Sequence, residues 1–351
     1  MIDIIKVRRD LHQIPELGFK EFKTQKYLLN ILKNYCCKIT LVKTGIIAFF
    51  DNHKESSLAY RTDMDGLNIQ EKNNVDYKSH LNMHACGHDG HMALALGLCD
   101  YLNDHYQEYS HNFVIIFQPS EESFGGSKAI IDSKILDTYH VNKIIAIHLF
   151  PKLPKGKFFT SRIVFSSSRE INYHFEGKSV HVANKKGHIN CIDVGYKFTK
   201  KIEKLSNKNT LVHIGVFNSG TSRNTVSSFT NLNGTIRSKK NDINIYNKIK
   251  RIKEKYEKRY HLKIDDTSIF LPRVENNRSL IRKAKKLIDL STNIKTCFQG
   301  EDFSSYCQIY PCLYLLYGVG EEEYLHSPNF NFDDSLLINC LKQLIKLLEI
   351  N

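Results

Sequence analysis

Apolar residues recur at two different spacings over the first 165 residues of the chain. Two segments place apolar residues three and four positions apart, which predicts the amphipathic helices Ile2–Leu11 and Phe22–Asn34. Short apolar runs follow, and each ends at polar, glycine or proline residues: Ile46–Phe50, Ser57–Tyr60, Phe113–Phe117 and Lys143–His148. Runs of this kind are typical of buried parallel strands. This part of the chain therefore predicts an α/β fold with a central, mostly parallel sheet flanked by helices.

The pattern changes near residue 168. Segments with alternating polar and apolar residues flank helical stretches, in the order Glu170–Gly177, Ile189–Leu205, Thr210–Phe217, Thr225–Arg237 and Asn241–Tyr260. This order predicts an α+β module of the ferredoxin-like type. After Pro272, a helical pattern over Asn277–Leu290 and further strand patterns return to the alternation seen in the first 165 residues. We therefore predict an α/β domain in two parts, residues 1–167 and 272–351, interrupted by an inserted domain over residues 168–271.

Composition narrows the class of protein. Hydrophobic residues make up 41% and charged residues 25%, as in a soluble globular enzyme. No apolar run approaches the roughly 18 residues that span a bilayer, and the first residues lack the apolar core of a signal peptide. We therefore expect a cytoplasmic protein with no membrane partner. The nine cysteines are irregularly spaced and form no CxxC pair, which predicts neither a disulfide framework nor a zinc knuckle.

The net charge of +13 raises the question of nucleic-acid binding. Many of the basic residues lie in one segment, Lys239–Lys263, where acidic and apolar residues interleave at helical spacing. That pattern is typical of a solvated helix face. We therefore predict no nucleic-acid partner, whereas the alternative predicts binding to unspecific DNA that weakens steeply with salt.

The segment Met83–His91, MHACGHDGH, concentrates possible metal ligands. It precedes the helical run MALALGLCDYL, so its donors lie in a strand-to-helix loop. Cys86 and His88 are two residues apart and can point the same way, and both thiolate and imidazole suit zinc and similar metals. A metal would also deprotonate the thiol. The alternative is a polar loop whose histidines cap the helix.

Adjacent carboxylates follow the third predicted strand. Glu121 and Glu122 project in different directions, so one can bind a metal while the other stays free as a general base. An isolated pair of glutamates is more often surface charge. The position of this pair after Phe113–Phe117 favours the functional interpretation, because ligands bind at the carboxyl ends of parallel strands.

Further carboxylates and imidazoles follow the other strands. Asp63 and Asp65 come after Ser57–Tyr60, and one of them could orient a metal-ligating side chain without contacting the metal itself. His148 ends the strand IIAIHLFP, and His326 lies in YLHSP. Each histidine alone is more typical of a core or a loop. Together they supply the imidazoles that a site for two metals still lacks.

Taken in order, nine strings of the sequence resemble one enzyme family: RRDLHQIPELGFKEFKTQ, YRTDMDGLNIQE, NMHACGHDGHMALALG, FQPSEES, AIHLFP, EGKSVHVA, NLNGTIRS, GEDF and LHSP. The family is that of the aminoacylase/carboxypeptidase-like metallo-amidohydrolases, and the likeness is greatest to its hippurate-hydrolase branch. The resemblance runs nearly end to end. It implies a catalytic α/β domain that carries two divalent metal ions, and an inserted domain that serves as lid and dimerisation surface.

The resemblance also implies roles for residues of the α/β domain. The implied metal ligands are Cys86, His88, Glu122, His148 and His326, with Cys86 a candidate bridge between the ions. Glu121 matches the general base, and Asp63 matches a second catalytic carboxylate. This mixture of ligands suits zinc, manganese, cobalt or nickel alike.

In the inserted domain, His181 matches a lid histidine that reaches a neighbouring subunit's site and stabilises the oxyanion. Asn224 and Arg237 match positions that bind the substrate carboxylate. Two departures concern this domain. The chain reads VANKKGHINCID after His181, where the family often has a proline and a second histidine, and the turn before Asn224 reads SGTSRN. Both departures bear on lid closure and substrate preference.

The implied activity is that of an amidohydrolase that removes an acyl group from the nitrogen of a small-molecule amino acid. Overall likeness favours the N-acetyl amide of N-acetyl-L,L-2,6-diaminoheptanedioate, whose hydrolysis yields acetate and the diamino acid used in lysine biosynthesis. Hippurate-like substrates, other N-acyl amino acids and small peptides are the alternative. A non-catalytic metal-binding protein on the same scaffold is a remote alternative. The expected assembly is a homodimer or a higher homo-oligomer.

Overall fold

The computed structural model describes residues 2–123, 125–240 and 242–350. They divide into two compact units. The first holds the described residues up to Val164, Glu275–Lys295 and those from Asp302 onward, and the second holds Phe165–Val274 and Thr296–Glu301. This last segment falls in the predicted α/β domain by sequence. It belongs to the second unit, where the main chain of Cys297 forms an isolated parallel β-bridge with Phe165.

The described helices include one at each segment where apolar spacing predicted a helix, and three that were not predicted, Gly126–Asp132, Ile135–Thr138 and Leu336–Leu347. In chain order they are α1 Ile4–His12, α2 Phe22–Leu32, α3 His88–His105, α4 Gly126–Asp132, α5 Ile135–Thr138, α6 Cys191–Glu203, α7 Ile243–Tyr260, α8 Arg278–Leu287 and α9 Leu336–Leu347. The predicted start of the seventh helix, Asn241, lies outside the described residues. The predicted helix Asn277–Leu290 is too long, because Leu290 already belongs to a strand. No described helix has the length and apolar character needed to cross a membrane.

The strands are shorter and more numerous than the helices. In chain order they are β1 Lys38–Val42, β2 Gly45–Phe50, β3 Ser57–Asp63, β4 Asn112–Gln118, β5 Val141–Pro151, β6 Phe158–Phe159, β7 Ser167–Glu176, β8 Val180–His181, β9 Thr210–Ser219, β10 Thr225–Val226, β11 Phe229–Ser238, β12 Lys263–Leu271, β13 Leu290–Ser291 and β14 Cys312–Gly320. The predicted strand Thr225–Arg237 is therefore two strands, β10 and β11.

Among the described residues of the first unit, eight strands form one sheet in the order β1-β2-β4-β3-β5-β14-β6-β13. The central strands β4, β3, β5 and β14 are parallel, which confirms the α/β class. The parallel direction predicted for β2 is wrong. A tight hairpin at Lys43 joins β2 to β1, and β2 pairs antiparallel with both β1 and β4. An apolar run shows that a strand is buried but does not encode its direction.

Helix α3 is the central helix of the first unit. Its side chains are buried from His88 to Cys99, and it packs against α1 and α9. A side chain at Gly97 would lie 2.7 Å from Leu341 of α9, so glycine permits this close approach. Each fully buried apolar side chain contributes roughly 1.5–3 kcal/mol. This packing holds the first residue of α3, His88, against the carboxyl end of the sheet.

The second unit confirms the predicted α+β order. Its described residues form an antiparallel sheet in the order β12-β7-β11-β9, with α6 and α7 packed on it. The chain order of these strands and helices gives the ferredoxin-like topology. Phe175, Phe198 and Ile249 are fully buried between the sheet and the helices. The separate core explains why the insertion interrupts the α/β domain without disturbing its sheet.

Candidate metal centre

The predicted site residues of the first unit lie near the carboxyl ends of its parallel strands. Asp63 is the last residue of β3, and Glu121 and Glu122 follow the end of β4. The prediction that His148 ends its strand is wrong, because β5 continues to Pro151 by pairing with β14. The four residues still lie at one edge of the sheet, since β4, β3 and β5 are neighbours.

A tight turn before α3 places Cys86 and His88 side by side. Gly87 caps the helix with a φ of 82°, a left-handed conformation that favours glycine. Cys86 Sγ lies 3.4 Å from His148 Nε2. The donor atoms of Cys86, His88 and His148 all lie within 4.8 Å of one another. A thiol and two imidazoles at these distances form a donor set for one metal ion.

A second donor set shares the same thiol. The donor atoms of Cys86, Glu122 and His326 also lie within 4.8 Å of one another, and His326 Nε2 is 3.2 Å from Glu122 Oε1. The His326 side chain is 52% exposed, so this set opens to solvent, whereas Cys86, His88 and His148 are buried. Because Cys86 belongs to both sets, the arrangement fits two adjacent ions with one sulfur between them.

The hydrogen bonds of the two buried histidines fix which nitrogen is free for a metal. His88 Nδ1 lies 2.9 Å from the main-chain oxygen of Asp65, and His148 Nδ1 lies 2.7 Å from that of Leu149. Each Nδ1 therefore donates its proton to a main-chain oxygen, which leaves each Nε2 as the nitrogen that can bind a metal once it is deprotonated. His88 Nε2 is buried and has no hydrogen-bond partner among the described residues. A buried, unpaired nitrogen aimed at a thiol and carboxylates is what a bound cation would satisfy.

The electrostatics of the site point to the same cation. Burial lowers the pKa of His88, but the negative charges of Asp63, Asp65 and Glu122 raise it to about 10. Burial and the negative charges of Glu122, Glu121 and Asp63 raise the pKa of the Cys86 thiol well above its usual range. The pocket thus carries an excess of negative charge. A divalent ion would offset this charge and convert the thiol to a thiolate.

His91 is a site residue that the sequence did not assign. Its donor atoms lie within 4.8 Å of those of Asp63 and His88. Both of its ring nitrogens are already hydrogen-bonded, however. His91 Nδ1 donates to Asp63 Oδ1 at 2.6 Å, and His91 Nε2 accepts the main-chain N–H of Leu149 at 2.9 Å. His91 therefore orients Asp63 rather than binding a metal. The sequence did contain one signal for His91, which lies one helical turn after His88 on α3.

Arg61 is the second residue that the sequence did not assign. It is fully buried and donates to Asp63 Oδ2 at 2.7 Å, to Asp302 Oδ1 at 2.9 Å and to Gln118 Oε1 at 3.0 Å. Burial raises the pKa of Asp63, but the interactions with His88, His91 and Arg61, among them the hydrogen bond from His91, lower it well below its usual range. Asp63 is therefore a fixed carboxylate.

Asp65 and Glu121 complete the surroundings of the donor sets. Asp65 Oδ2 accepts the main-chain N–H of Glu122 at 3.0 Å, so Asp65 braces both His88 and Glu122. Glu121 is buried, and its carboxylate lies within 4.8 Å of the donor atoms of His88 and Glu122. A carboxylate adjoins the candidate metal position without belonging to the two donor sets that share Cys86. This arrangement can bind a metal-activated water beside a base.

The remaining predicted residues belong to the second unit. His181 of β8 pairs with Thr225 of β10, and the main-chain N–H of Val182 donates to the main-chain oxygen of Asn224 at 2.9 Å, so His181 and Asn224 are neighbours. Arg237 lies on β11 and donates to Glu170 Oε1 at 2.9 Å. The functional roles of His181, Asn224 and Arg237 stay predictions.

Comparison with known proteins assigns the family. Residues 59–350 match peptidase family M20/M25/M40. The chain therefore belongs to this family, and the recognition made from the sequence is confirmed. Family membership supports amidohydrolase activity that depends on divalent metal ions.

Two relatives named N-acetyldiaminopimelate deacetylase match almost the whole chain. The protein of Bacillus subtilis (strain 168) is 32% identical over 362 residues, which cover 95% of this chain and 95% of that protein. The protein of Streptococcus uberis (strain ATCC BAA-854 / 0140J) is 32% identical over 380 residues, which cover 100% of this chain and 99% of that protein. Similarity over both full lengths includes both units.

A solved structure shares the fold. It is a Bacillus subtilis protein described as a dinuclear metal-binding peptidase of family M20. Its structure matches with a TM-score of 0.87 and 26% identity over 99% of this chain and 97% of that chain. The metal content stated for that protein agrees with the two adjacent donor sets described above.

Proposed function

We propose that the protein hydrolyses the N-acetyl amide of N-acetyl-L,L-2,6-diaminoheptanedioate to acetate and L,L-2,6-diaminoheptanedioate. One observation carries the proposal: two donor sets share Cys86, and Glu121 lies directly beside them. Such a site suits hydrolysis of an unactivated amide at neutral pH. The choice of the diamino diacid rests on the names of the full-length relatives.

Different residues of the first unit would have different roles in the hydrolysis. Bound at the two donor sets, divalent ions would acidify a water and polarise the acyl carbonyl. Glu121 accepts the proton of the attacking water and then delivers it to the departing amine nitrogen. Asp63, fixed by His91 and Arg61, holds negative charge beside His88. The acyl carbon leaves as acetate, and the amine leaves as the free diamino acid.

Residues of the second unit would recognise the substrate. We assign oxyanion stabilisation to His181 and carboxylate binding to Asn224 and Arg237. The planar guanidinium of Arg237 suits a bidentate carboxylate. In this structure Arg237 donates to the carboxylate of Glu170.

We also propose a homodimer in the cytoplasm with a part in lysine biosynthesis. Exposed apolar side chains of the second unit support the dimer, among them Tyr196 on α6, which is 57% exposed, and Val216 and Phe217 on β9. Exposed aromatic and apolar side chains of this kind favour an interface. Light scattering after gel filtration should give twice the chain mass of 40.7 kDa. Tyr196→Glu should shift the mass toward one chain, and a monomeric wild-type protein would refute the dimer.

The direct test of the activity is acetate release from the N-acetyl diamino diacid. It is measured before chelation, after chelation, and with zinc, manganese, cobalt or nickel added back singly. We expect release that stops on chelation and returns with metal. A panel of hippurate, other N-acyl amino acids and small peptides completes the assay. Preference for a panel member over the diamino diacid would assign the alternative substrate class.

The variant that tests Glu121 as the general base is Glu121→Gln. It keeps the size of the side chain but cannot accept the proton of the water. We expect nearly intact metal binding and turnover lower by orders of magnitude. An unchanged rate would overturn the assignment of Glu121 as the base.

A further inference from the structure

A buried carboxylate in the N-terminal motif has no part in the proposed chemistry. Glu21, in the string ELGFKE, is fully buried just before α2. Its Oε1 accepts the main-chain N–H of Ser120 at 2.8 Å, and its Oε2 accepts the Thr44 hydroxyl at 2.5 Å. Burying a carboxyl group is costly unless its hydrogen bonds repay the lost hydration. Glu21 therefore calls for a specific explanation.

The residue that Glu21 holds comes directly before the candidate base. Ser120 precedes Glu121 and has a φ of 51°, a left-handed conformation that is uncommon outside glycine. Its hydroxyl is buried and has no hydrogen-bond partner among the described residues. The surrounding structure must keep such a conformation in place, because it is costly on its own. The bond from Ser120 N–H to Glu21 is suited to this task, since it is buried, and a hydrogen bond away from water is stronger than an exposed one.

The N-terminal segment contacts the same turn a second time. A Cβ atom added to Gly18 would lie 2.5 Å from Ser120 Oγ, so the backbone of Gly18 packs directly on the serine. Glu21 and Gly18 thus hold Ser120 from one side. On the other side, Asp65 holds the main-chain N–H of Glu122. The backbone that carries Glu121 and Glu122 is fixed at both ends.

We propose that Glu21 is a positioning residue that fixes the main chain at Ser120 and thereby aims Glu122 at the metal and Glu121 at the water. This inference rests on the proposed function, in which Glu122 is a ligand and Glu121 is the base. Glu21 itself touches neither substrate nor metal. Its loss should therefore show first in the affinity for the metal and in kcat.

Three variants separate positioning from general stability. Glu21→Met keeps the volume of the side chain but removes both acceptors. Glu21→Gln keeps an oxygen for Ser120 N–H and offers an N–H to Thr44. Glu16→Ala is the matched control from the same motif, because Glu16 caps the start of α2 through the N–H groups of Lys23 and Thr24.

The first measurement is the Zn²⁺ dissociation constant, obtained by competition with a chromogenic chelator. Groups that orient metal ligands are worth about 10–100-fold in metal affinity, so Glu21→Met should bind Zn²⁺ at least about tenfold more weakly. Glu21→Gln should recover the wild-type value within about twofold. Glu16→Ala should lower the melting temperature without changing the dissociation constant. A folded Glu21→Met protein with wild-type Zn²⁺ affinity would overturn the inference.

The second measurement is steady-state kinetics at saturating metal. A displacement of about 1 Å at a catalytic group costs up to about 100-fold, so kcat of Glu21→Met should fall by about tenfold or more while KM changes little. If Glu21→Met does not fold, Thr44→Val decides. This variant removes one of the two bonds that orient Glu21. Weaker Zn²⁺ binding then supports positioning, and wild-type binding refutes it.

The Zn²⁺ measurement needs no substrate. If the wild-type protein binds Zn²⁺ but hydrolyses no N-acyl amino acid, the proposed function fails, and the affinities of the variants still decide whether Glu21 positions the ligand.

Discussion

Replacing His12 with glutamine should remove a pH-dependent part of the stability of the first unit. His12 is buried between two carboxylates: Nδ1 lies 2.7 Å from Asp89 Oδ2, and Nε2 lies 3.2 Å from Glu71 Oε1. Arg8 binds the same oxygen of Asp89 at 2.8 Å. With an acceptor at each nitrogen, the ring is doubly protonated in the folded protein. Asp89 follows His88, so this cluster also anchors the first turn of α3.

The magnitude follows from the pKa of the ring. Burial lowers the pKa of His12, but the charge of Asp89 and the hydrogen bonds to Asp89 and Glu71 raise it from 6.5 to about 9. A shift of this size corresponds to about 3 kcal/mol. Because the folded pKa lies above the unfolded one, the stabilisation is complete below about pH 6.5 and is lost as the pH rises through about 9.

The assay is urea unfolding of metal-free protein in the presence of a chelator. The chain has no tryptophan, so far-ultraviolet circular dichroism is the suitable probe. The difference in unfolding free energy between wild type and His12→Gln should shrink by about 3 kcal/mol between about pH 6 and about pH 10. His53→Gln is the matched control, since the His53 side chain is 90% exposed. A difference that stays constant across this range would refute the doubly protonated ring.

Two further substitutions test the support of the site. Arg61→Met leaves the carboxylates of Asp63 and Asp302 buried without their cation. The unfolding free energy, measured by urea unfolding, should therefore fall by about 3–5 kcal/mol. A loss below about 1 kcal/mol would contradict the buried network. Gly126→Ala would place a Cβ atom 1.6 Å from the Pro119 carbonyl oxygen, which must displace the turn that carries Glu121. We expect a clear fall in kcat, and a wild-type kcat would show that the turn is not held there.

Local sequence patterns predicted the parts of the molecule that local physics determines. Apolar spacing located α1 and the ferredoxin-like order of the second unit, because periodicity reports which face is buried. The dense loop at Cys86 and His88 predicted a group of possible ligands from residue types alone. The structure adds that the two residues meet His148 in one donor set and Glu122 with His326 in another.

The missed features depend on contacts between distant parts of the chain. Arg61 binds Asp302, 241 positions away, and no local pattern encodes that pair. His88 and His91 are both buried histidines of α3, and their different hydrogen-bond partners are supplied by the fold. The direction of β2 was missed for a different reason: the local hairpin at Lys43 sets it, and a buried apolar run is compatible with either direction.

Cys86 belongs to both donor sets, and we propose that its thiolate would hold both divalent ions. The most direct test of this proposal is a titration of metal-free protein with Co²⁺, followed by ultraviolet and visible absorption, because a bond from cobalt to a thiolate gives a charge-transfer band. We expect saturation at two ions per chain, a thiolate band in the wild type, and loss of that band with weaker binding of both ions in Cys86→Ser. Saturation at one ion, or a band that persists in Cys86→Ser, would contradict it.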